Sequence, residues 1–158
     1  MDKLLRLLSE NSSLSTEQLS IMLGEPEDYI VAQIKEYENS GVIRGYQAVV
    51  NWDEVSDAGV TALIELKVAP QLQKGFDEIA ERILAYNEVE SVYLMAGSYD
   101  LLLTVKGKTI QDVSSFVARR LAAMNGILST ATHFMLKRYK ESGVSLVDNK
   151  KDGREMVL

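Results

Sequence analysis

The 158-residue sequence has no cysteine, only two prolines, one histidine and one tryptophan. Without cysteine there can be no disulfide and no thiolate metal site. A single histidine leaves too few imidazoles for a histidine-built metal centre, and no metal ligands are assigned. Long apolar runs are missing too: no segment reaches the roughly 18 consecutive apolar residues that a membrane span needs. The opening stretch MDKLLRLLSE is broken by charges and does not read as a signal peptide. These absences predict a cytoplasmic protein that does not enter a membrane. Catalytic groupings are absent as well. GSYDLLL is not a nucleophile elbow, no glycine-rich phosphate loop follows a strand, and no Ser-His-Asp spacing stands out, so an enzyme is not expected. An excess of positive charge is also lacking. The net charge is −6, which removes the simplest electrostatic mark of a nucleic-acid binder.

What is present suits one ordinary domain or two small ones. Apolar residues make up 46% and charged residues 25%, enough to bury a core without covalent staples. Residues 2–11 read as a helix with Leu4, Leu5 and Leu8 on one stripe. Ser15 followed by Gln18 has the capping-box spacing for a second helix, which should end near Leu23 at Gly24. Pro26 suits the first position of a third helix. Ile30, Val31, Ile34 and Tyr37 give that helix an apolar face, and Gly41 suits a left-handed cap beyond it. VIRGYQAVV then reads as two short strands turning at Arg44-Gly45. Three short helices and a hairpin make a winged helix-turn-helix, assigned to residues 1–51.

The polar stretch 52–59 is expected to be a linker. Beyond it, VTALIELKV alternates as a strand that should stop at Pro70, and Phe76, Ile79, Ala80, Ile83 and Leu84 mark a helix. VESVYLMA and LLLTVKG read as strands joined by a tight GSYD turn in which Gly97 supplies a positive φ. Val113, Phe116, Val117, Leu121 and Met124 mark another helix, and ILSTATHFMLKRY a fourth strand. The order β-α-β-β-α-β is that of the split, ferredoxin-like unit. The expected fold is therefore α+β, with this unit over residues 60–158 and a further strand at REMVL.

SGVIRGYQAVVN, leading through a linker to a βαββαβ unit that carries GSYD, resembles the leucine-responsive regulator/AsnC family of feast/famine transcription regulators. The similarity covers nearly the whole chain. It implies an ACT-like second domain that dimerises, dimers that stack as an octamer of four, DNA as partner, and a small effector, an amino acid, bound between dimers near the Gly-x-Tyr/Phe-Asp loop. No other cofactor is implied. On that pattern Gly97, Ser98, Tyr99 and Asp100 belong to the effector site. The glycine turn brings backbone N–H groups to the ligand carboxylate, and Asp100 accepts from its ammonium. Thr130 and Thr132, sharing a face of the last strand with Phe134, are carried over to the same site.

The third helix departs from the family pattern. Where members carry arginines, this chain has Ala32, Gln33 and Glu36, and residues 1–51 hold four cations against eight anions. Phosphate neutralisation supplies most non-specific DNA affinity, so this segment should grip weakly. Glu27 and Asp28 favour the helix dipole but repel phosphates. Tyr29 and Gln33 are the expected base readers, with Lys35 and Arg44 as the remaining cations for DNA. The leading expectation is an amino-acid-responsive DNA-binding regulator. The alternative is an effector-sensing and assembly module with weak or lost DNA binding that acts through a partner protein.

Overall fold

The computed structural model describes residues 2–69 and 75–147. Pro70, the charged stretch after Val147 and REMVL lie outside the described residues. The chain divides into two compact units, residues 1–50 with 139–158 and residues 51–138.

The first unit is built on three helices: α1 (Lys3–Glu10), α2 (Thr16–Leu23) and α3 (Glu27–Asn39). Asp2 caps α1, its carboxylate accepting from the backbone N–H groups of Leu4 and Leu5. Ser15 and Gln18 form the expected capping box on α2, which ends at Gly24 in the left-handed region. Pro26 sits one position earlier than expected, as the cap of α3 and not its first turn. Leu4, Leu8, Leu19 and Ile30 form the core, flanked by Ile34, Tyr37 and Ile43. Val31 is 48% exposed and does not join that face. It falls about 100° round the helix from Ile30, on the solvent side of the apolar stripe.

The wing hairpin expected over residues 42–50 is not formed: Ile43–Val50 has no strand pairing. The Ile43 N–H instead donates back to the Tyr37 carbonyl at 3.0 Å, closing the helix end. The Tyr46 hydroxyl donates to the Glu38 carboxylate at 2.9 Å, which holds the segment along α3 and away from a hairpin. A two-residue β-pair, β5 (Lys140–Glu141) with β6 (Val144–Ser145), belongs to the same unit.

The second unit is an antiparallel four-stranded sheet with two helices. β1 (Val60–Val68) lies between β3 (Leu101–Gly107) and β4 (Ile127–Phe134), and β2 (Val89–Leu94) flanks β3, giving the order β2-β3-β1-β4. α4 (Asp77–Leu84) and α5 (Ile110–Phe116), the latter continued by a π-helical turn over Val117–Leu121, supply the other layer. Ala62, Ile64 and Leu66 of β1, with Leu101, Leu103 and Val105 of β3, pack on Ile79, Ile83, Val113 and Leu121. Alternation along the strands produces this face, and each buried valine, leucine or isoleucine there contributes roughly 1.5–3 kcal/mol. β4 stops at Phe134, five residues short of the expected end, and Leu136 is fully exposed.

The expected linker is integrated into this unit. Trp52–Glu54 forms a 3-10 turn, and the Lys106 ammonium lies 4.8 Å from the Trp52 ring centroid. Gly59 has φ 75°, and a Cβ there would collide with the Gly107 carbonyl oxygen. The compact unit runs from Asn51 to Arg138 and so takes in residues 52–59.

Candidate functional site

The loop carrying Gly97, Ser98, Tyr99 and Asp100 joins β2 to β3. It is not the tight two-residue turn expected. β2 ends at Leu94 and β3 begins at Leu101, so the connection spans Met95–Asp100 and is closed by Met95 N–H donating to the Asp100 carbonyl at 2.8 Å. Gly97 does not have a positive φ, and a Cβ built on it would meet no atom within 4 Å. The backbone therefore does not require glycine there. The missing side chain leaves open space on an exposed loop instead.

Asp100 ties this loop to the centre of the sheet. Its N–H donates to the Leu66 carbonyl at 2.9 Å, and its Oδ2 accepts from the Val68 N–H at 2.8 Å. The carboxylate thus satisfies a backbone donor just past the β1–β3 pairing. Oδ1 has no hydrogen-bond partner among the described residues, so the anion keeps one acceptor for a ligand. Asp100 is half-buried, as is Tyr99, whereas Gly97 and Ser98 are exposed.

Thr130 and Thr132 lie on the helix-covered face of the sheet. Thr130 pairs with Leu66 and Thr132 with Ile64, both core residues. Leu66 also pairs with Leu101, so Thr130 shares a row with the residue after Asp100 but stands two strands away, about 10 Å. Thr132 is a further two residues along β4. Thr130 stands toward the loop's end of the sheet, whereas Thr132 lies opposite the middle of β1. His133, on the opposite face, lies 3.4 Å from Glu65.

In the first unit, α3 carries three of the four expected DNA-contacting residues. Tyr29 is half-exposed. Gln33 is one helical turn further on the same side, and its amide donates to Glu36 at 3.2 Å. Lys35 is exposed on an adjacent face. Arg44 lies beyond the helix end, its guanidinium 2.9 Å from where a Gly41 Cβ would stand. It is therefore roughly 18 Å along the axis from Tyr29 and is not brought into the same cluster. The acids are partly spoken for. The Thr16 hydroxyl donates to the Glu27 carboxylate, which joins the N-termini of α2 and α3. The Tyr37 hydroxyl donates to Asp2 at 2.8 Å and, with the Leu5 N–H, holds that carboxyl below the usual aspartate range. The same bond pushes the Tyr37 phenol up.

A third grouping was not legible in the sequence. Asp53, Thr61 and Arg138 meet at the other end of the sheet, with the Arg138 guanidinium donating to the Thr61 hydroxyl at 2.7 Å. These residues are up to 85 positions apart, and no periodic pattern links them. Among the described residues no group of histidine and carboxylate side chains could hold a metal, and no helix is long and apolar enough to cross a membrane.

Comparison with known proteins agrees with this architecture. The family model for the Lrp/AsnC ligand binding domain matches residues 61–145. An HTH-type transcriptional regulator of Bacillus subtilis, itself uncharacterised, is 41% identical over 156 residues, covering 98% of this chain and 94% of that protein. The proline dehydrogenase transcriptional activator of Rhizobium radiobacter is 26% identical, with 90% of each chain covered. Among solved structures, a Neisseria meningitidis transcriptional regulator in complex with L-methionine superposes with a TM-score of 0.70 at 25% identity, covering 94% of this chain and 97% of that one. These regulators are not enzymes. With a four-stranded sheet and two helices in the expected second unit and a family match over more than half of its length, the chain belongs to the Lrp/AsnC family of ligand-responsive transcriptional regulators.

Proposed function

We propose that this regulator senses a free amino acid at the Met95–Asp100 loop and binds DNA through α3 as a homodimer, with dimers assembled into an octamer. The observation that carries the effector reading is the loop itself. Its glycine is not needed by the backbone, and its aspartate is pinned by one oxygen while the other keeps acceptor capacity. An α-amino acid needs an acceptor for its ammonium and close N–H donors for its carboxylate, and Gly97, Ser98, Tyr99 and Asp100 offer both. Thr130 borders the same end of the sheet and Thr132 lies nearer its middle, so they reach a ligand only if it extends past the β1 terminus and along β4. The methionine complex of the Neisseria regulator supports the ligand class.

For DNA, Tyr29 and Gln33 read base edges while Lys35 and Arg44 meet phosphates. Two copies of α3 in a dimer enter successive major grooves about one helical turn apart. Effector binding at the dimer–dimer seam shifts the assembly only as far as it prefers one state over the other. The acidic surface of α3 favours a second reading, in which DNA affinity is weak and a partner protein carries the output. Of its charged side chains only Lys35 is basic. Binding to the chain's own upstream DNA across a salt series, with and without each amino acid, decides between them. Specific binding that falls steeply with salt and moves with one amino acid supports the regulator as proposed. Effector binding by calorimetry with no specific DNA complex at low salt supports the second reading.

A further inference from the structure

We infer that the second unit carries another amino-acid site, in the cavity at the opposite end of the sheet from the Met95–Asp100 loop. This rests on the reading of the chain as amino-acid-responsive, but it involves none of the loop residues. The cavity has a volume of about 300 Å³, at the lower end for small-ligand sites and ample for one amino acid. It lies where β1 begins and where β3 and β4 end, with Thr61, Lys106 and Phe134 in its walls. Thr61 pairs with Lys106 across the sheet, whereas the loop sits beyond the Leu66–Leu101 pair, so the two places are roughly 20 Å apart.

The walls have the chemistry of a zwitterion trap. Arg138 is 14% exposed, and its guanidinium is oriented by the Thr61 hydroxyl at 2.7 Å. The Asp53 carboxylate is 3.9 Å from the Arg138 guanidinium, close enough for attraction but too far for a hydrogen bond between those atoms, and it accepts from the Arg138 backbone N–H at 3.3 Å. An α-amino acid carries its two charges on groups attached to one carbon, so neighbouring anion and cation are its complement. Its carboxylate meets Arg138 and its ammonium meets Asp53, while Lys106 on the same rim, its ammonium paired with Glu90 at 2.5 Å, adds positive field beside the carboxylate. Trp52 and Phe134 supply an aromatic and apolar wall for the side chain. A tether alone would need only the contacts between Trp52 and Lys106 and between Asp53 and Arg138. It would not need an open cavity between them. Because Trp52 and Asp53 directly follow the boundary at Asn51, a ligand here holds the segment that leads to the helical unit.

Trp52 is the sole tryptophan, so its emission reports this cavity. The full-length protein is titrated with each non-aromatic L-amino acid, by Trp52 emission and by calorimetry, as wild type, Asp100→Ala and Arg138→Gln. The expected result is a saturable change in emission for at least one amino acid that survives Asp100→Ala and weakens tenfold or more in Arg138→Gln. Lys106→Gln and Asp53→Asn, checked for fold by circular dichroism, carry the same expectation should Arg138→Gln not fold. A response lost in Asp100→Ala and kept in Arg138→Gln would be transmitted from the loop, overturning this site and leaving the proposed effector site standing. Calorimetric binding with no change at Trp52, untouched by the cavity variants, also overturns it. Binding lost only with the cavity variants establishes this site and removes the loop from the effector reading. No binding by either method removes both.

Discussion

At the scale of the residue, Asp100 holds two duties that substitution can separate. Asp100→Asn keeps an oxygen for the Val68 N–H but loses the negative charge. Stability should change by less than about 1 kcal/mol, while amino-acid affinity falls at least tenfold, read by urea denaturation and calorimetry. Asp100→Leu should lose both, with about 1–3 kcal/mol of stability for the orphaned backbone donor. The bond between Tyr37 and Asp2 gives a second test. Asp2 titrates below its ordinary value of about 4 when folded, so its contribution is present above that value and is lost as pH falls through the folded one. Tyr37 titrates above its ordinary value of about 10, so its share is complete below that and is lost as pH rises through the folded one. The first unit should therefore have a stability plateau between these limits. Tyr37→Phe should flatten both edges, measured by thermal melts across pH. Both groups are largely solvated, so the effect is small and shrinks with salt.

At the scale of the element, most of this fold could be read from periodicity. The alternation in β1, the helical spacing of Ile79 and Ile83, and the capping box at Ser15 each name a local structure with its own physical cause. What could not be read depended on distant partners. The wing is absent where Tyr46 bonds Glu38, and β propensity without a pairing strand does not make a hairpin. A short hairpin would demand a positive φ at Gly97, yet the connection is longer than a short hairpin. Asp53 and Arg138 meet only once the sheet is folded. Gly59 tests the closure between the start of β1 and the end of β3. Gly59→Ala places a methyl group against the Gly107 carbonyl at a left-handed φ, and should cost about 1–3 kcal/mol or more in denaturant unfolding. On α3, Glu36→Lys frees Gln33 and adds a cation. Binding to DNA should tighten, and the slope of log K against log salt should steepen by about 1 per copy of the helix engaged.

At the scale of the whole molecule, charge decides how the regulator can work. With a net charge of −6 and an acidic helical segment, a single copy has little attraction for a polyanion. Linked copies repeat each weak contact at high effective concentration. A variant held as a dimer should therefore bind DNA at least tenfold more weakly than the proposed octamer at equal subunit concentration and low salt. Gel shifts alongside light scattering check this. Equal affinity would move the weight of recognition back to the single helix.

The position of β1 carries one last consequence, for biosynthesis. It is the first strand of its sheet to leave the ribosome and the one that ends up in the middle, paired through Gly107 on one side and Phe134 on the other. Until those partners are made, a nine-residue apolar-patterned strand waits with both edges open, while the core residues of the three helices upstream are all already synthesised. The nascent chain is thus most exposed to misassociation in the interval between the synthesis of the three helices and the arrival of β4. Slowing elongation there should raise its dependence on holding chaperones more than slowing it anywhere upstream.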